Sequence, residues 1–170
     1  MKKNVSLTGM MGVGKSFIAE RLQEKLEGFS VIDTDFLIEK KVAKTIPQIF
    51  EQDGEVVFRS LEYQVIEEVF RSENQIVSLG GGAFCFENNR EVIKQNSFVI
   101  YLKAEAETLL KRLKSSENRP LLKDDFGLEK ITKIVHERED KYALADYVLV
   151  TDNKTPEQIV CEIIKVINND

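Results

Sequence analysis

The sequence predicts an α/β fold, a three-layer sandwich with a five-stranded parallel sheet between helices. Three observations carry the prediction. A glycine-rich loop sits between a short apolar stretch and an amphipathic one near the N-terminus. Four further apolar runs recur along the chain. Helical periodicity fills the spaces between them, and strands alternating with helices imply a parallel sheet covered on both faces.

The elements follow in order. Val5 to Leu7 reads as the first buried strand, and Ile18, Leu22 and Leu26 recur at four-residue spacing as a helix. Val31 to Ile32, Ile76 to Leu79, Phe98 to Leu102 and Tyr147 to Val150 read as buried strands. Phe58, Leu61, Val65, Ile66, Val69 and Phe70 form one helical face; Ile159, Val160, Ile163, Ile164 and Ile167 form another. Thr45-Ile46-Pro47-Gln48 and Thr155-Pro156-Glu157-Gln158 are capping boxes, each with a threonine cap and a glutamine three places on.

Composition sets the class. The chain has 170 residues, 42% hydrophobic and 31% charged, as expected of one soluble globular domain spanning residues 1–170. No run approaches the roughly 18–20 apolar residues that cross a bilayer, so no membrane role and a cytoplasmic location are expected. A net charge of −5 with no compensating basic tract argues against a nucleic-acid partner. Cys85 and Cys161 have neither metal nor redox spacing and read as buried or incidental thiols. His136, amid charged residues, reads as a surface side chain.

Gly9-Met10-Met11-Gly12-Val13-Gly14-Lys15-Ser16 fits the phosphate-binding loop. Its glycines let several backbone N–H groups converge on one phosphate, at the N-terminus of a helix whose dipole favours an anion. Lys15 can reach the β- and γ-phosphates, and the Ser16 hydroxyl can ligate Mg²⁺. In a parallel sheet, ligands bind beyond the carboxyl ends of the strands. The segments to inspect there are Asp33-Thr34-Asp35, Gly80-Gly81-Gly82 and the stretch after Leu102. Asp33 is the candidate to support Mg²⁺. Asp35 either receives or orients a reacting hydroxyl, or caps a helix through Phe36, Leu37 and Ile38. The glycine triplet either brings backbone donors close to a ligand or forms a flexible turn. Arg59 and Glu62, at i and i+3, form either a surface ion pair or a held guanidinium that grips a carboxylate. Lys111, Arg112, Lys114, Arg119 and Lys123 gather positive charge in an otherwise acidic chain.

Together these segments resemble shikimate kinase. The motifs are the phosphate loop, Asp33 to Asp35, Phe58-Arg59-x-x-Glu62, Gly80 to Gly82, Arg119-Pro120-Leu121 and Arg138 with Tyr142. The likeness runs from about Val5 to the last helix. It implies a P-loop kinase architecture of the nucleoside monophosphate kinase-like kind, acting as a monomer. It also implies ATP- and Mg²⁺-dependent phosphorylation of the 3-hydroxyl of shikimate. By position, the resemblance assigns Gly12, Val13, Gly14, Lys15, Ser16, Phe17, Arg112, Arg119 and Lys154 to the nucleotide, and Ser16 and Asp33 to the metal. Asp35, Phe50, Phe58, Arg59, Gly81, Gly82 and Arg138 fall to shikimate, with Lys15, Asp35 and Arg119 catalytic. A substrate-binding helical segment at about 33–62 and a lid at about 114–125 complete the expectation. Phe17 departs from the family, which usually has a small hydroxyl residue there. So does Lys141, where an apolar residue is commoner, and the Asp152-to-Pro156 loop looks about one residue short.

Three rivals remain. A gluconate kinase would show Asp-Gly-Asp followed by His-Pro, whereas this chain has Asp33-Thr34-Asp35-Phe36. A nucleotide kinase would need more basic residues for a second nucleotide. A non-catalytic binding module would be expected to have lost Lys15, Asp33, Asp35 or Arg119.

Overall fold

A computed structural model describes residues 4–114 and 127–169. The chain runs β1 (Asn4–Thr8), α1 (Lys15–Gln23), β2 (Ser30–Asp33), α2 (Thr34–Val42), α3 (Ile46–Gln52), α4 (Gly54–Val69) and β3 (Gln75–Ser78). A 3₁₀ turn (Ala83–Cys85) leads into α5 (Glu87–Asn96), β4 (Ser97–Lys103), α6 (Ala106–Lys114), α7 (Leu128–Tyr142), β5 (Tyr147–Val150) and α8 (Pro156–Ile167). Among the described residues the strands form one parallel sheet in the order β2-β3-β1-β4-β5. The three-layer α/β expectation holds.

Alternation along the strands divides the core. Val5, Leu7, Ile76, Phe98, Ile100, Leu102 and Leu149 pack with residues of α1, α6, α7 and α8. Val77, Leu79, Val99 and Tyr101 pack with residues of α2 to α5 and with Tyr142. Each fully buried leucine or isoleucine contributes about 1.5–3 kcal/mol by leaving water. Central β1 carries small polar groups on its second face. Ser6 Oγ donates to Ser97 Oγ at 2.7 Å, and Asn4 Nδ2 donates to the carbonyls of Ser72 and Asn96. Those partners allow Asn4 and Ser6 to be buried.

The two outer strands correct the expectation of uniformly buried strands. In β5 only Leu149 is buried, with Val148 and Val150 exposed, and β2 is half-buried at the opposite edge. An apolar run marks a strand but not its place in the sheet. Both capping boxes form, each threonine accepting from the glutamine N–H and each glutamine side chain accepting from the threonine N–H. Helix α1 ends at Gln23, so Leu26 packs from the turn beyond it.

Candidate active site

The loop after β1 sits at the carboxyl end of the central strand. Gly14 caps α1 in the left-handed region at φ 99°, and Gly12 has φ 82°. These are conformations that glycine adopts without the cost a β-carbon brings. A β-carbon on Gly12 would also lie 2.7 Å from Leu113 Cγ. The first helical bond runs from Ile18 N–H to Gly14 O. The N–H groups of Lys15, Ser16 and Phe17 therefore belong to the first turn, where a helix has no acceptors of its own to offer. Lys15 Nζ donates to Gly9 O at 2.8 Å and Met10 O at 3.2 Å, arching over the loop. Loop, Asp33, Asp35, Ser78, Gly81 and Arg112 together line one cleft of about 380 Å³.

Asp33 divides its carboxylate between two tasks. Oδ2 accepts from Ser16 Oγ at 2.7 Å, while Oδ1 accepts from Phe36 N–H at 3.2 Å. The N-cap of α2 is thus Asp33, which corrects the reading that Asp35 could fill that role. Asp35 lies in the first turn of α2 and points its carboxylate over Gly80, where a β-carbon would stand 2.4 Å from Oδ1. Ser78 Oγ lies 3.1 Å from Ser16 Oγ. Ser16, Asp33 and Ser78 thus present hard oxygen atoms side by side, the donor chemistry that Mg²⁺ prefers.

None of the three glycines has a positive φ, and Gly80 is the one whose missing β-carbon a close neighbour requires. Gly80 makes room for Asp35 and donates its N–H to Thr34 Oγ1 at 2.9 Å. Gly81 accepts at its carbonyl from Arg138 Nη1 at 3.2 Å and from the Tyr142 hydroxyl. Gly82 lies against Arg59, whose terminal nitrogens would be 3.4 Å from a β-carbon there. The segment is a fitted junction and not a loose turn.

Arg59 is held by more than a surface ion pair. Its Nη1 donates to both oxygens of Glu62, at 3.2 and 3.0 Å, and the Glu62 side chain is 1% exposed. Asn89 Nδ2 donates to Glu62 Oε2 and to Ala83 O, both at 3.1 Å. Burial pushes the Glu62 carboxyl above its ordinary range, and the Arg59 charge opposes that shift. On α7, Arg138 and Tyr142 share a face at i and i+4. Burial raises the Tyr142 phenol strongly, so it stays a hydrogen-bond donor to Gly81 at neutral pH. Tyr101 stacks on it at 4.9 Å and donates to Glu139.

The remaining expected residues fall variously. Phe50 and Phe58 pair at 4.6 Å between ring centroids, Phe58 buried and Phe50 partly exposed. Arg112 lines the cleft and donates to Val13 O at 3.0 Å, bracing the loop from α6. Phe17 lines the cleft with its ring exposed and Arg21 5.4 Å above it. Lys154 does not line the cleft and pairs with Glu162. Arg119 and most of the 114–125 segment lie outside the described residues. His136 is exposed as expected; Cys85 is half-buried, and Cys161 is exposed. Sequence reasoning missed Ser78, Thr34 and Asn89. Each acts across the fold, 27 to 62 residues from its partner, so no local pattern marks it.

A shikimate kinase family model matches residues 11–168. This chain belongs to the shikimate kinase family. As a member it is a phosphotransferase that takes an alcohol as acceptor. It is 44% identical to the shikimate kinase of Sulfurihydrogenibium sp. (strain YO3AOP1) over 162 residues, covering 95% of this chain and 96% of the relative. The shikimate kinase of Caldicellulosiruptor bescii is 40% identical over 164 residues, with 96% and 95% covered. Among solved structures, the Acinetobacter baumannii shikimate kinase in complex with shikimate superposes with a TM-score of 0.91 at 34% identity. That match covers 99% of this chain and 94% of the other. The Deinococcus radiodurans tunicamycin resistance protein, 16% identical at a TM-score of 0.72, shares the fold alone. Among the described residues of this kinase, no helix is long and apolar enough to cross a membrane.

Proposed function

We propose that this kinase transfers the γ-phosphoryl group of ATP to the 3-hydroxyl of shikimate, giving shikimate 3-phosphate and ADP. One observation supports the reading above the others. The Asp35 carboxylate stands between the phosphate loop and a glycine junction on which two arginines converge. A hydroxy acid held by Arg59 and Arg138 through its carboxylate would present a ring hydroxyl to Asp35. The γ-phosphate would face it from the loop.

Each residue then has a physical role. The backbone N–H groups from Gly12 to Phe17 cradle the phosphates, and Lys15 neutralises charge on the transferring group. Asp35 orients the acceptor hydroxyl and takes its proton as the new P–O bond forms. Phe50 and Phe58 supply an apolar wall for the carbocycle. Arg112 serves the nucleotide side, and Arg119 neutralises phosphate charge. Lys154, paired with Glu162 outside the cleft, would have to leave that partner to reach the nucleotide. Ser16 and Asp33 would hold Mg²⁺, which would supply positive charge to offset that of the phosphates. The proposed enzyme acts as a monomer in the cytoplasm on small soluble substrates.

A coupled ADP-release assay with Mg·ATP tests the reading against shikimate, gluconate, AMP and no acceptor. Turnover with shikimate alone is expected. Activity confined to gluconate or AMP would overturn the carboxylate clamp, and silence with every acceptor would overturn catalysis itself.

A further inference from the structure

We infer that Glu55 occupies the edge of Arg59 that a substrate carboxylate needs, so that acid binding exchanges one carboxylate for another. The inference rests on the proposed gripping of the substrate by Arg59. A guanidinium offers two forks, Nε with Nη2 and Nη1 with Nη2, and its two-point grip on a carboxylate uses one of them. Glu62 already takes Nη1 with both oxygens. Glu55 Oε1 accepts from Nε at 3.3 Å and Nη2 at 3.2 Å, across the other fork.

The two glutamates are held very differently. Glu62 is buried and bonded to Asn89 as well, so its departure would strand a charge away from water. Glu55, in the first turn of α4, is 63% exposed and returns to solvent at little cost. Its contact is also poor, since one oxygen serves two nitrogens at distances beyond the roughly 2.7–2.9 Å of a strong charge-assisted bond. A carboxylate placing one oxygen on each nitrogen makes the better pair. Phe58 and Phe86 lie 4.9 and 4.3 Å from the guanidinium carbon, so the plane of Arg59 stays held when Glu55 swings away. Glu55 is therefore a placeholder that sets the affinity of the clamp for acids.

The test measures the KM for shikimate and for ATP in Glu55→Asp, Glu55→Ala and Arg59→Lys. Aspartate keeps the charge and the acidic first turn but is one methylene short of Arg59. Both Glu55 variants are expected to lower the shikimate KM by about two- to fivefold, as loss of an exposed ion pair implies, with the ATP KM unchanged. If Glu55→Asp matches the wild type while Glu55→Ala improves, general charge repulsion explains the gain and the placeholder idea falls. A raised shikimate KM in both variants would make Glu55 a support for Arg59 and would equally overturn it. Arg59→Lys separates the two levels. An unchanged shikimate KM in that variant overturns the clamp; a raised one, with Glu55→Asp like the wild type, overturns only the role of Glu55.

Discussion

Alanine at position 80 places a methyl carbon 2.4 Å from Asp35 Oδ1 and 3.3 Å from its Cγ, about 1 Å inside ordinary contact for the oxygen. The nearest yielding group is the Asp35 side chain, which can swing away from the new methyl group by rotation about its own bonds. A misplacement of about 1 Å at a reacting group costs about 10²-fold in rate, which is about 2.7 kcal/mol of transition-state stabilisation. Because a side chain absorbs the clash, the stability cost sits at the low end of overpacking, about 1 kcal/mol. For a chain of this length that is a fall in Tm of about 2–4 °C. Steady-state kinetics with both substrates varied, nucleotide titration and thermal melting measure all three quantities. The expected Gly80→Ala enzyme is folded, binds ATP normally and turns over about a hundredfold more slowly. A double-mutant cycle with Asp35→Asn identifies the route, since the Gly80 effect should vanish once the carboxylate is gone. A folded Gly80→Ala enzyme with kcat within twofold of wild type would refute the reasoning. So would an equal loss from Gly80→Ala in the Asp35→Asn background.

Asp35→Asn alone should retain ATP binding and lose about 10²- to 10⁴-fold in kcat; a near-normal rate would remove Asp35 from any essential role. Arg138→Lys replaces a planar fork by a point charge at the residue that donates to Gly81 O. It should raise the shikimate KM by roughly tenfold, and unchanged KM and kcat would count against the clamp. Glu62 gives a pH prediction. Its folded-state pKa is raised chiefly by burial, so the native state holds the proton more tightly than the unfolded chain, where glutamate titrates near about 4.3. Wild-type stability relative to Glu62→Gln should therefore fall as pH rises from about 4.3 through the raised value, then level off. Urea midpoints of both proteins across that range measure it, and a difference that grows with pH would show that the Arg59 attraction outweighs burial.

Much of the molecule is determined by short-range pattern. The phosphate loop is local in sequence because one βα turn builds it, with backbone groups and a lysine one residue beyond its last glycine. The capping boxes and the core-facing stripes of α4 and α8 depend on spacings of three and four residues, which the helix itself imposes. Asp35 and Arg59 were legible as candidates from strand-end position and i, i+3 spacing, each with a bland alternative. Arg138 was legible only through the set of motifs in order, since on its own it reads as one charge on a solvated helix.

The tertiary structure decided what depends on partners distant in the chain. Burial of Glu62 turns an i, i+3 pair from a surface contact into a fixed support, and Asn89 of α5 donates to the buried carboxylate. The capping duty fell to Asp33 because Ser16 and Phe36 both converge on it, leaving Asp35 to face the cleft. The glycine triplet meets three different helices. The Asp35 carboxylate of α2 requires the missing β-carbon of Gly80, Arg138 and Tyr142 of α7 bond the Gly81 carbonyl, and Arg59 of α4 lies against Gly82. Edge and centre strands looked alike in sequence because apolar side chains report burial by helices, whereas place in the sheet is set by which strand edges meet. Local sequence determines conformation through neighbours on the same helix or strand; a site depends on which distant groups share a few ångströms, and only the packed fold decides that.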